Sequence, residues 1–199
     1  TLKHLCQGLI QKGHRVTVVR PRQRGERKNI APTTNEALFS REYIVTGLPL
    51  PGYADLRFGV TTSGELRRLW QTNRPDTIYV ATQGPLGIAA ASAARKMGIP
   101  VSSGFHTNFH QYSRYYGVGV LEKLLCSYGR WFHNRTAITL VPTKKMQQVT
   151  AKMGITSTGV WSRGVDCNHF APHKRDESLR ASWGLDDNSP AVLYAGRLA

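Results

Sequence analysis

The chain has 199 residues, 40% of them hydrophobic and 20% charged, and its 27 Lys and Arg against 12 Asp and Glu leave a formal net charge of +15. This composition excludes a disordered chain, and no apolar run reaches the roughly eighteen residues needed to cross a bilayer; the length suits one sizeable α/β domain, or a domain plus part of another. The positive field attracts phosphates, nucleotides, nucleic acid or anionic lipid without selecting among them.

The chain opens in a helix pattern, with Leu2, Leu5, Cys6, Leu9 and Ile10 on one face and Gly13 as its C-terminal glycine, followed by a strand in "HRVTVVRP". Residues 22–42 lack periodicity and are expected as a loop or binding lid. Tyr43–Val45 and Leu56–Val60 read as short strands on either side of the turn-rich "GLPLPGYAD". Thr62 and Glu65 then have capping-box spacing for a helix that turns Leu66, Leu69 and Trp70 inward.

Next come a strand in "DTIYVAT", a loop in "GPLG", a small-residue helix in "IAAASAARKMG" and a strand in "IPVSSGF". This order predicts a right-handed βαβ unit with parallel strands. From Val120 onward, Leu121, Leu124, Leu125, Tyr128, Trp131 and Phe132 form one apolar stripe, with Glu122, Lys123, Arg130 and His133 expected to face away. "AITLVPT" is a strand, "KKMQQVTAKMG" a helix and "STGVWSRGVD" a strand running into a loop. The polar "CNHFAPHKRDES" marks a domain boundary, after which "LRASWGL" reads as a short helix and "AVLYAGRLA" as a buried-type strand. The fold class expected is α/β, a Rossmann-like parallel sheet with helices on both faces. No secretory or lipidation pattern opens the chain, and the final strand lacks a covering helix, so a fragment truncated at both ends is expected.

Cys6, Cys126 and Cys167 are odd in number and show no C-x-x-C spacing, which argues against a disulfide framework or structural zinc and for a reducing cytoplasm. In an open parallel sheet, ligands bind beyond the carboxyl ends of the strands, where loops diverge and helix N-termini offer unpaired N–H groups. Two segments occupy such ends, "TQGPLG" at 82–87 and "FHTNFH" at 105–110, and are expected to line one crevice. Gly84, Pro85 and Gly87 either let backbone approach a ligand or simply make a tight strand-to-helix turn. His106 suits contact with sugar hydroxyls or a developing charge, or serves as a structural histidine. His106 and His110 have H-x-x-x-H spacing, but Thr107 stands where a metalloprotease would carry Glu, so metal binding is not expected. Tyr112, Tyr115 and Tyr116 either stack on an acceptor or cover the core. Arg197, in "AGRL", is a candidate diphosphate clamp or an ordinary surface charge. P-loop, serine-hydrolase and zinc-ribbon motifs do not occur.

Taken together, "LIQKGHRVTVVRP", "ATQGPLGIAAASAARKMGIPVSSGFHTNF", "YYGVGVLEKLL", "RWFHNRTAITLVPT", "SRGVDCNHFAP" and "VLYAGRLA" resemble the retaining glycosyltransferases of the GT-B fold, family 4, and in particular bacterial lipid-directed mannosyl- and glucosyltransferases. The resemblance implies two Rossmann-like domains, with the acceptor bound mainly by the first and the nucleotide sugar mainly by the second. Residues 1–166 would then be the acceptor-side domain without its first strand and glycine-rich loop. Residues 167–190 would be the linker, and 191–199 the first strand of the nucleotide-sugar domain, ending before its donor-binding lysine and paired glutamates. Such a piece is expected to be inactive alone.

The resemblance further implies that His106 reaches the donor sugar and Arg197 offsets charge on the leaving diphosphate, with Gly84, Pro85, Gly87, Thr107, Asn108 and Tyr112 around the substrates. The donor is implied to be a nucleotide-diphosphate sugar used without a metal or other cofactor, and the acceptor a sugar or lipid hydroxyl. A cytoplasmic location follows, with peripheral attachment to anionic lipid at the inner face of the membrane through Lys123, Arg130, Arg135 and the basic residues 20–28. The competing reading is a basic nucleic-acid-binding α/β module, which ranks lower because no recognition-helix pattern, RNP-type aromatics or arginine-rich arm is present.

Overall fold

The computed structural model describes residues 2–26, 41–50, 53–105, 119–162, 164–186 and 188–193. Two compact units divide the chain, Thr1–Ser162 and Arg163–Ala199.

In the first unit, α1 (Leu2–Gln11) stops at Gly13, whose φ of 83° is a left-handed conformation that other residues adopt at a cost. Strand β1 (Thr17–Pro21) pairs in parallel with β2 (Arg41–Leu50), and β2 pairs antiparallel with β3 (Tyr53–Val60). Arg20 ties β1 to β2 through Glu42, at 2.5 Å, and also holds Glu26 at 2.8 Å. The two short strands expected on either side of "GLPLPGYAD" are thus longer than their apolar cores. Mutual pairing supplies backbone partners that local pattern does not reveal, and Pro49, which has no N–H to donate, sits at the register shift. Gly47 is required here because a methyl group would collide with the Arg22 carbonyl oxygen.

Helix α2 (Ser63–Thr72) begins with the expected capping box, in which Thr62 accepts from the Glu65 amide and Glu65 accepts from the Thr62 amide. The four-stranded sheet follows: β4 (Ile78–Val80), β5 (Val101–Gly104), β6 (Ile138–Val141) and β7 (Thr158–Val160), in that order and all parallel. Helix α3 (Pro85–Lys96) makes the crossover from β4 to β5, α4 (Gly119–His133) precedes β6, and α5 (Lys144–Lys152) precedes β7. The Rossmann-like parallel sheet flanked by helices read from the sequence is therefore the architecture found.

Small side chains on the inner face of α3, Ala89, Ala91, Ala93 and Ala94, let the helix lie close to its neighbours. They join Leu66, Trp70, Val80, Ile99, Val101 and Phe132 in the main core, with Val19 and Leu86 packed against it. Full burial of each large side chain in this set contributes about 1.5–3 kcal/mol.

One helix differs from its sequence reading. Leu124 and Trp131 are 62% and 42% exposed, whereas His133, expected to face away, is 1% exposed beside Phe132. The inward line of α4 runs through Gly129, Phe132 and His133, because the nitrogens of His133 find buried partners that no helical projection contains. The polar Thr136 and Thr139 and Ser103 are buried with it.

The second unit carries a 3-10 turn (Pro172–Lys174) and helix α6 (Glu177–Ser182), capped by Asp176, which accepts from the Ser178 and Leu179 amides. Ala191–Leu193, expected in a strand, are not in one, and Val192 is 98% exposed. Among the described residues this segment has no ladder partner, without which an extended chain is not a strand. No helix among the described residues is long and apolar enough to cross a membrane.

Candidate functional site

Parallel pairing of Ile78 with Val101, Tyr79 with Ser102 and Val80 with Ser103 brings the carboxyl ends of β4 and β5 to the same rim of the sheet. From that rim, Ala81–Gly84 lead into α3, and Phe105 continues β5. Of the two segments expected to line one crevice, 82–87 leaves this rim, while 105–110 lies outside the described residues beyond Phe105. His106, Thr107, Asn108 and Tyr112 lie outside the described residues, as does Arg197.

The three described candidates have different surroundings. Gly84 is the N-cap of α3 without a side-chain cap, and among the described residues nothing lies within 4 Å of where its Cβ would be. Pro85 starts the helix at a position where its missing N–H costs nothing. Gly87 is buried: a methyl there would strike the Thr82 carbonyl oxygen and come within 2.8 Å of Val80 Cγ1. Gly87 thus closes the strand-to-helix turn, while Gly84 leaves backbone open at the positive end of the α3 dipole, a place that favours anionic or hydroxyl oxygens.

Behind this loop lies a buried polar cluster. His133 Nε2 is 3.0 Å from Gln83 Oε1, while His133 Nδ1 is 2.9 Å from Ser103 Oγ and 3.3 Å from Thr139 Oγ1. Ser103 Oγ also lies 2.9 Å from Thr136 Oγ1 and 3.2 Å from Thr139 Oγ1, and Thr136 donates to the His133 carbonyl at 2.8 Å. A carboxamide oxygen only accepts, so Nε2 carries the proton and Nδ1 accepts from a hydroxyl. The imidazole is neutral: burial pushes its pKa down to about 4. The Tyr128 hydroxyl donates to the Gln83 carbonyl oxygen, and burial pushes the Tyr128 phenol up. His133 also touches the Phe105 ring, with centroids 5.3 Å apart, so it underlies both chain segments that leave the rim.

Sequence reasoning missed this cluster. A signal was present in the two serines of "VSSG" and the threonine of "AITLV", polar residues inside strands of the buried type, which need internal partners. Among the described residues no group of three His, Cys, Asp or Glu side chains comes together as a metal-ligand set.

The chain is similar in sequence to known proteins. It is 35% identical over 125 residues to a GDP-mannose-dependent alpha-mannosyltransferase of Mycolicibacterium smegmatis, covering 63% of this chain and 33% of that protein. It is 31% identical over 159 residues to a protein of the same description from Mycobacterium tuberculosis, covering 80% and 42%. A sulfoquinovosyl transferase, SQD2, of Arabidopsis thaliana is 25% identical over 154 residues, covering 75% and 30%. The chain thus spans between about a third and two fifths of the bacterial relatives' length. The model of the family described as Glycosyltransferase Family 4 matches residues 1–169, from α1 through the whole parallel sheet and both segments at its rim, and the chain belongs to that family.

Proposed function

We propose that the protein transfers a hexose, mannose from GDP-mannose in the first instance, to an acceptor hydroxyl, with the described rim as part of the substrate site. The observation that carries this reading is the open Gly84 backbone at the start of α3, beside the carboxyl end of β5. The names of the mannosyltransferase relatives support the choice of donor.

In this reading the backbone from Thr82 to Pro85 borders a substrate sugar, and His106, with Thr107, Asn108 and Tyr112, contacts the sugars from the segment after Phe105. Arg197 offsets negative charge that grows on the departing diphosphate. The acceptor hydroxyl attacks the anomeric carbon on the face that the diphosphate leaves, so configuration is retained. The leaving oxygen takes the bond electrons, and the acceptor proton passes to the departing phosphate. No metal takes part, and positive side chains and helix ends supply the electrostatic stabilisation.

The acceptor is a membrane glycolipid reached by a peripheral protein on the cytoplasmic face. Exposed Leu124 and Trp131 on α4, flanked by Lys123 and Arg130, favour this, and Arg135 stacks 4.2 Å over the Trp131 ring.

The test uses the full-length protein with a panel of nucleotide sugars and a membrane lipid extract, measuring release of nucleoside diphosphate and the anomeric configuration of the product by NMR. Release with GDP-mannose and a lipid product of retained configuration is expected, falling by on the order of a hundredfold in His106→Ala. No release with any nucleotide sugar would remove the transferase reading, and unchanged turnover in His106→Ala would remove that residue from the site. Equal binding to neutral and anionic vesicles would remove the electrostatic membrane contact.

A further inference from the structure

We propose that His133 is a positioning residue for the substrate site: its neutral imidazole, held by Ser103 and Thr139, donates from Nε2 to Gln83 and so fixes the loop between β4 and α3. The inference rests on the transferase reading for the use of that loop, but not for the loop's geometry.

Three observations converge on it. His133 lies at the end of α4, buried to 1% exposure, and its two ring nitrogens face different elements. Nδ1 faces hydroxyls from the middle of the sheet, Ser103 on β5 and Thr139 on β6, whose backbones are locked by parallel pairing with each other. Nε2 faces Gln83, in a loop that has no strand pairing of its own. The imidazole therefore transmits the rigidity of the sheet to the loop.

Gln83 is gripped twice from α4, by His133 at its side chain and by the Tyr128 hydroxyl at its backbone carbonyl. The next residue is Gly84, at the helix start, where a side chain would meet nothing within 4 Å among the described residues. The Gly84 carbonyl is held on the helix side by the Ile88 amide at 3.0 Å, and on the strand side Gln83 is the adjacent anchored residue. A loop held in its binding geometry before substrate arrives loses less freedom on binding, so losing the anchor should appear in substrate affinity before it appears in the chemical step. The Phe105 ring against His133 extends the same support to the residue that precedes His106 in the chain.

The arrangement also requires histidine in particular. Asparagine is too short to span from the sheet hydroxyls to the loop, and phenylalanine fills the space without either polar contact. Lysine would bring a charge into a cluster built from hydroxyls and a carboxamide.

The experiment uses the full-length protein in four forms: wild type, His133→Phe, Gln83→Ala and the double variant. Amide hydrogen exchange of the peptide spanning 81–88 is compared with that of β6. Steady-state kinetics with GDP-mannose and lipid extract separate KM from kcat. Exchange in 81–88 is expected to quicken by at least tenfold in His133→Phe and Gln83→Ala, with β6 changed much less. KM is expected to rise by about tenfold with kcat nearly kept, as loss of one positioning hydrogen bond would give. The double variant should be no worse than the worse single one, since both remove the same link.

Unchanged exchange in Gln83→Ala, a half-buried position whose truncation leaves the core intact, would overturn the proposal even if His133→Phe failed to fold. Quickened exchange with unchanged KM would overturn the link between this loop and substrate. Wild-type protein inactive with every nucleotide sugar, but with the expected exchange pattern, would refute the transferase reading while supporting the anchoring of the loop by His133.

Discussion

His133 and Gln83, 50 residues apart in the chain, meet at 3.0 Å between Nε2 and Oε1. The contact joins the end of α4, which precedes β6, to the loop that leads from β4 into α3, and its cost and its benefit both come from burial. A buried imidazole is strongly held in its neutral form, and a buried hydrogen bond is protected from competing water.

The first prediction concerns pH. His133 titrates near 4 in the folded protein, pushed down by burial, against about 6.5 in the unfolded chain. Above pH 6.5 both states are neutral at this site and nothing is lost. As pH falls from 6.5 toward 4 the unfolded state takes up the proton first, so folding stability declines, by up to roughly 3 kcal/mol, and levels off below 4. Urea unfolding between pH 7.5 and 4 should show a shallower loss in His133→Gln than in wild type. Identical pH slopes would mean that the imidazole is not held neutral.

A pair of glycine substitutions separates folding from substrate handling. Gly87→Ala should cost roughly 1–3 kcal/mol or more, because the added methyl meets the Thr82 carbonyl oxygen and Val80, both in or next to β4. Gly84→Ala meets nothing within 4 Å among the described residues, at an ordinary φ of −77°, and should cost no more than about 1 kcal/mol, the preference for Gly over Ala at an N-cap. If a sugar approaches that backbone, Gly84→Ala should nonetheless raise KM severalfold. Denaturation midpoints and steady-state rates on the same two variants check both statements.

Neighbouring serines on β5 should behave differently. Ser103 is fully buried and contacts His133, Thr136 and Thr139, so Ser103→Ala removes three buried polar contacts, leaves His133 Nδ1 only the longer one to Thr139, and should cost about 1–3 kcal/mol. Ser102, half-buried with a 3.4 Å contact to the Ile78 carbonyl, should lose less than about 1 kcal/mol on the same change. Equal losses measured by chemical denaturation would show that the polar cluster is not a stabilising unit.

The α2 cap offers a local control. Thr62→Ala should cost about 1 kcal/mol, and Thr62→Ser should retain most of it, since either hydroxyl can accept from the Glu65 amide. A thermal midpoint unmoved by Thr62→Ala would mean that the cap contributes nothing measurable.

Legibility followed the range of the interactions concerned. Thr62 and Glu65 declared their helix start because the bonds span three residues. Gly13, Gly98 and Gly154 declared helix ends because each has a positive φ, at 83°, 64° and 81°, that glycine adopts freely. The position of Gly84 and Pro85 at a strand's carboxyl end was likewise readable from the alternation of strand and helix. The α4 stripe was not. Leu124 and Trp131 look inward on a helical projection and are exposed, while His133 looks outward and is buried. A projection ranks side chains by polarity alone and cannot know which of them will meet a partner.

What the amino-acid order determined by itself was the succession of helices and strands, their caps and the parallel layer, because these depend on periodicity and on backbone preferences a few residues long. Only the tertiary structure decided that Ser103, Thr139, His133 and Gln83 converge behind the loop that begins α3. Polar side chains become buried when distant segments satisfy one another's hydrogen bonds, and that condition exists only after the sheet has brought β5, β6 and the end of α4 together.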